Sequence, residues 1–201
     1  MRAPRPLLPA AIEKGLTPRQ RQVLDSLEEL IASEGLAEST MAQIAARVNC
    51  SLRTLYGISP SKDELVLTVA DRWLHRIGRE AMALLDPKAP ALKTLRTYLR
   101  AAHAAVGPSA ATFGRELASV PGARRQIDRH ENYVTAVVKK LLDQAVEEGS
   151  IAPVDTAAVA LVLGGIGRDF TRPEVLSQIA HPSRETADAL IEIVLRGLER
   201  A

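Results

Sequence analysis

Apolar positions in this chain recur at helical spacing almost from end to end. After Thr17, the residues Val23, Leu24, Leu27, Leu30 and Ile31 fall on one face of a helix. Thr17 and Gln20 form a capping box, Pro18 suits the first helical position, and Gly35 fits a left-handed cap. A second, shorter helix is predicted to start at Thr40, with Gln43 completing another box and Met41, Ile44, Ala45 and Val48 turned inward. Asn49 suits a tight inter-helix turn, because its short polar side chain tolerates the left-handed conformation. Ser51 then caps a third helix, Leu52–Gly57, anchored by Leu55 and leaving Leu52, Arg53, Thr54 and Tyr56 on the outside. A fourth helix opens at Ser61-Lys62, carries Leu65, Val69, Trp73 and Ile77 inward, and is expected to reach Leu85 before Asp86-Pro87.

The remaining pattern is also helical. Helices are predicted over Pro90–Val106, Ser109–Val120 and Ala123–Glu148, then from a cap at Asp155 to about Phe170, and from a cap at Ser183 to the end. Gly107-Pro108, Pro121-Gly122 and Gly149 break them, and Thr171–Pro182 is a proline-bounded connection. No sustained period-two run rich in β-branched and aromatic residues is present, so the fold class is all-α.

Composition adjusts this picture only slightly. The 201 residues suffice for one sizeable domain or two small ones. A net charge of +2 does not by itself point to nucleic acid, so any basic footprint must be local. The single cysteine, Cys50, excludes an intrachain disulfide and reads as a structural thiol packed under the turn. Residues 1–16, with three prolines, are expected to be an irregular arm whose Arg2 and Arg5 could follow a DNA groove. The start of the chain lacks a signal-peptide core, and no apolar run is long enough for a membrane span. A soluble cytoplasmic protein with no membrane partner is therefore expected.

The stretch from Thr40 to about Ser59 is a helix-turn-helix pattern. In that arrangement the first helix braces across the DNA backbone and the second lies in the major groove with its first residues at base edges. Arg53 can pair with guanine, Thr54 can contact a thymine methyl or a phosphate, and Tyr56 can reach a phosphate. Ser51 and Leu52 begin the same helix, whose free amides point at phosphate, while Thr40 and Lys62 form flanking phosphate-binding corners.

With these residues in place, residues 18–75 resemble the N-terminal domain of the tetracycline-repressor (TetR) family of bacterial transcription regulators. The resemblance rests on VLDSLEELIASEG, TMAQIAARV and SLRTLYGISPSKDEL. Within the last, Ser51 opens the recognition helix, Thr54-Leu55-Tyr56 matches a Thr-Leu-Tyr triplet, and Lys62 with Glu64-Leu65 heads the next helix. Asn49 replaces a usual glycine, and Ser59 stands where the family usually has phenylalanine. The resemblance implies a helix-turn-helix DNA-binding domain over residues 17–77, joined by a long helix to a helical ligand-binding and dimerisation domain over 78–201. It also implies a homodimer on a near-palindromic DNA operator, and a small-molecule effector.

The C-terminal pattern independently suggests a partner chain. The last helix carries Ala187, Leu190, Ile191, Val194, Leu195 and Leu198 on one face. The helix before it is apolar nearly all round, with Ala157, Ala160 and Gly164 small enough for close approach and Leu161 beside them. Two such helices from each subunit would form a two-fold four-helix interface. A ligand pocket in the middle helices would draw on Trp73, Tyr98, His103, Phe113, His130, Tyr133 and Phe170.

Enzymatic chemistry is poorly represented. His75, His103, His130 and His181 form no paired-histidine metal motif, and Gly164-Gly165-Ile166-Gly167 lies in an apolar helix rather than after a strand. No cofactor or metal is called for, and no catalytic residue is assigned. The alternative reading is a helical ligand-binding protein or enzyme whose helix-turn-helix is degenerate.

Overall fold

A computed structural model describes residues 6–7, 15–106, 109–169, 177–178 and 183–199. Among these residues the chain is helical, with one isolated antiparallel bridge between Ile151 and Glu199. Helix ends differ from the sequence expectation by a residue or two. The fourth helix, for example, stops at Ala83 rather than Leu85, as is common where terminal turns fray. Arg2, Arg5, Phe170, His181 and most of Thr171–Pro182 lie outside the described residues.

The described residues fall into two compact units. The first comprises those within Arg5–Arg76 and Pro108–Ile127. It contains α1 (Pro18–Ser33), α2 (Met41–Arg47), α3 (Leu52–Tyr56), the first part of α4 (Lys62–Ala83) and α6 (Ser109–Ala118). Val23, Leu24, Leu27 and Ile31 of α1, Ile44 and Ala45 of α2, Leu55 of α3, and Leu65, Val66, Val69 and Ala70 of α4 form its buried interior. Helix α6 packs against α1, and its Phe113 stacks on Trp73 with ring centroids 4.3 Å apart. Gln126 extends from the start of α7 (Ala123–Glu147) to donate to the Leu67 carbonyl at 3.1 Å.

The second unit holds the rest of α4 and α7, together with α5 (Ala91–Val106), α8 (Thr156–Asp169) and α9 (Ser183–Leu198). Its core is aliphatic: Leu92, Leu95 and Leu99 of α5, Val138, Leu142 and Ala145 of α7, Ala160 and Leu163 of α8, and Ile191 and Leu195 of α9. Charged side chains tie α5 to α9 at the rim. Arg96 reaches Glu192 and Glu199, at 3.3 and 2.8 Å, and Arg100 reaches Glu192 at 3.4 Å. Among the described residues no helix is long and apolar enough to cross a membrane.

Candidate nucleic-acid interface

Helices of 7 and 5 residues are too short to persist alone, so α2 and α3 depend on their ends and their anchors. At the start of α2, the Thr40 hydroxyl accepts from the Gln43 amide at 3.3 Å. The Gln43 side chain accepts in turn from the Thr40 amide at 2.8 Å. At the start of α3, Ser51 Oγ accepts from the Thr54 amide at 3.0 Å. Between them Asn49 adopts φ +50°, the left-handed turn residue expected from the sequence. Arg19, from the first turn of α1, donates to the Asn49 carbonyl and so braces the turn from outside. The sequence reading had no signal for that brace, because 30 residues separate the two.

Cys50 is half-buried in the turn. Burial pushes its thiol up from the usual range, partly opposed by the nearby Arg19 charge. A thiol so shifted is poorly ionised, in keeping with packing rather than reactivity.

With Leu55 fully buried as the anchor, the opposite side of α3 is presented outward. Leu52 is 40% exposed and Tyr56 50% exposed, and Arg53 is exposed between them. Ser51 and Thr54 share one hydroxyl–hydroxyl hydrogen bond at 2.8 Å, which leaves one of the two protons for an outside acceptor. Exposing an aromatic and a leucine beside an arginine on a capped helix gives a compact surface with an apolar body and one positive charge.

The two flanking residues are partly occupied. The Thr40 hydroxyl also pairs with Gln43 Oε1 at 2.9 Å, so it is taken up by its own cap. Lys62 is half-buried, and its ammonium donates to the carbonyls of Leu36 and Ala37 at 3.3 and 2.6 Å. The third ammonium proton remains for an anion. Ser59, which stands where an aromatic was expected, is buried, and its hydroxyl lies 3.3 Å from that of Thr68 on α4. A polar contact thus occupies the corner between α3 and α4.

The other predicted residues are divided between the two units. Trp73 and Phe113 are a buried stacked pair in the first unit. Tyr98, His103, His130 and Tyr133 belong to the second. Tyr98 is buried in the aliphatic core, and burial, with a smaller contribution from Tyr133, pushes its hydroxyl up to about 12. His103 Nδ1 lies 3.1 Å from Asp188 on α9.

Of the residues predicted to meet a partner chain, Ala160 and Ile191 are buried in the chain's own core. A Cβ on Gly164 would come within 2.9 Å of Thr135 Oγ1, so its small size serves the approach of α7. Leu190, Val194 and Leu198 are partly buried, whereas Ala157 is exposed. The outward apolar side chains are Leu161 at 66%, Val162 at 55% and Ile193 at 66% exposed. Ile193 lies off the apolar stripe of α9, and α8 is apolar nearly all round, so spacing does not single out Val162.

Residues 23–69 match the family model described as bacterial regulatory proteins, tetR family. No curated protein is significantly similar to the chain. Among solved structures, a tetR-family regulatory protein from Rhodococcus RHA1 is 23% identical, with a TM-score of 0.69 over 92% of this chain and 100% of that one. A TetR transcription regulator from Haloarcula marismortui is 16% identical, with a TM-score of 0.80 over 92% and 100%. A transcriptional regulator from Saccharomonospora viridis, solved in complex with choline, is 17% identical, with a TM-score of 0.74 over 90% and 98%.

Proposed function

We propose that this chain is a DNA-binding transcriptional regulator of the TetR family, a homodimeric, ligand-responsive repressor acting in the cytoplasm on a near-palindromic operator. The observation that carries this reading is the outer face of α3. Leu52, Arg53 and Tyr56 stand exposed on a helix whose ends and anchor are fixed. Arg53 pairs with a base edge, Tyr56 and the hydroxyl proton left free by the Ser51–Thr54 hydrogen bond contact phosphate, and Leu52 packs against sugar or a thymine methyl. Lys62, through its remaining proton, and Thr40, through the end of α2, hold the flanking backbone.

In this reading residues 17–77 are the DNA-binding domain and 78–201 the regulatory and dimerisation domain. One 5-residue helix contacts few bases, so two copies related by a dyad supply the length of a specific site. Leu161, Val162 and Ile193 on α8 and α9 are the surface that pairs them. The relative that holds choline supports a small-molecule effector here as a class, with its identity left to experiment. An effector acts only through a difference in its affinity for the DNA-competent and DNA-incompetent states.

Selection of bound duplexes from a random pool tests the reading. Two half-sites in dyad relation, roughly one helical turn apart, are expected. Arg53→Ala should weaken binding of the selected duplex by about tenfold or more and relax preference at one position of each half-site. A pool that shows no enrichment, or an Arg53→Ala protein that selects the same duplexes equally well, would overturn it.

A further inference from the structure

Ala37 lies in the corner between α1 and α2, and its peptide neighbourhood is held by two opposite charges. Its amide donates to Glu116 Oε1 at 3.1 Å, and its carbonyl accepts from the Lys62 ammonium at 2.6 Å. Glu116 comes from α6, 79 residues further along the chain, and is only 7% exposed. A buried carboxylate is tolerated only where donors satisfy it, so this contact is strongly determined. Gly35 makes room for it. A Cβ there would stand 2.3 Å from Glu116 Oε1, and the residue's φ of +81° already favours glycine.

The corner leads directly into α2, which packs against α3. A tilt of α2 therefore moves the exposed face of α3. We infer that Glu116 is a positioning residue for DNA binding: its carboxylate fixes the α1–α2 corner, and with it the setting of α3, without touching DNA. The inference rests on the reading that α3 contacts DNA. Losing the bond lowers the fraction of molecules with α3 correctly set, and apparent affinity falls by that fraction. No phosphate contact is removed, so the salt dependence of binding is unchanged.

The test uses the full-length protein and a selected operator duplex, with affinity measured across a salt series well below the melting temperature. Glu116→Ala is expected to bind about tenfold more weakly with an unchanged salt slope, the scale of a lost charge-assisted hydrogen bond. Glu116→Met, which fills the volume but accepts no comparable hydrogen bond, should give the same loss if the alanine variant does not fold. Glu116→Gln, whose amide oxygen can still accept from Ala37, should remain within about threefold of the parent. Hydrogen exchange at the Ala37 amide should accelerate in the alanine and methionine variants and not in the glutamine one. Parental affinity despite faster exchange at Ala37, or a salt slope reduced by about one, would overturn the positioning role. So would a glutamine variant as weak as the alanine variant. Arg53→Ala in the same assay separates the two readings: parental binding there would remove the role of α3 itself.

Discussion

The two units of this chain are stabilised in different ways. In the first, α2 and α3 span 7 and 5 residues, and the start of each is closed by a named side chain, Thr40 with Gln43 and Ser51 with the Thr54 amide, with the left-handed Asn49 in the turn between them. In the second, longer helices, including most of the 25-residue α7, share an aliphatic core in which volume-conserving apolar exchanges would be tolerated at modest cost. Short helices gain little from length, so specific caps and one anchor each must set their geometry. Long helices need only the correct apolar face. The first solution leaves fixed residue types at fixed spacing, and the second leaves a periodicity that many sequences satisfy. That is why the family model matches residues 23–69, within the capped segment.

Truncating anchors tests this contrast most strongly. Leu55 is the one buried residue of α3, whereas Leu95 shares its core with many neighbours. Both →Ala variants should lose about 2–5 kcal/mol by denaturant unfolding. Only Leu55→Ala should also abolish operator binding under conditions where the fold persists. Equal effects on binding would dissolve the distinction.

The outward face of α8 and α9 comes next. Leu161→Glu with Ile193→Glu should convert a dimer to a monomer in sedimentation velocity while leaving the helical signal intact, since both side chains are more than half exposed. A protein that sediments as a dimer after both changes would place the interface elsewhere.

The caps should give a smaller effect. Thr40→Ala removes the acceptor for the Gln43 amide and should cost about 1 kcal/mol. A comparable cap deletion in the second unit, Asp155→Ala, should cost less in fold stability relative to the total, because α8 has a core to hold it. Calorimetric melting of both variants gives the ranking.

The smallest effect concerns the rim of the second unit. The hydrogen bond from Arg196, above all, together with Arg96, holds the Glu192 carboxyl below its ordinary range. A carboxylate so depressed contributes stability above its unfolded-state pKa and loses it as pH falls through the folded value. Glu192→Gln should therefore lower stability near neutral pH by no more than about 1 kcal/mol and flatten the acid side of the stability profile. Variant and parent should converge at low pH, where the parent carboxyl is protonated.

Much of the first unit was legible in advance because its determinants are local. Thr17, Gln20, Thr40, Gln43 and Ser51 act within three residues of their partners, and the backbone of Asn49 and Gly35 took the left-handed form expected of them. The outward set on α3 followed from one buried leucine and the helical period. Distant partners were hidden. Nothing near Arg19 indicates that it braces Asn49, and nothing near Glu116 indicates that it binds Ala37. The dimer candidates were only partly separable for the same reason: periodicity marks Ala160, Leu161 and Ile191 alike as apolar, and only packing shows which of them remain outside.

By itself, then, the sequence determined the all-α class, the capped helix-turn-helix and the residues that α3 presents outward, because caps, turns and periodicity act over three or four residues. The tertiary structure decided what depends on chain folding back over tens of residues. It put Ser59 against Thr68, engaged Lys62 on the carbonyls of Leu36 and Ala37, and seated the Glu116 carboxylate over Gly35. It also sorted the apolar residues of α8 and α9 into core and surface. Such contacts exchange solvation for long-range hydrogen bonds and packing, and no local pattern records which partner will be there.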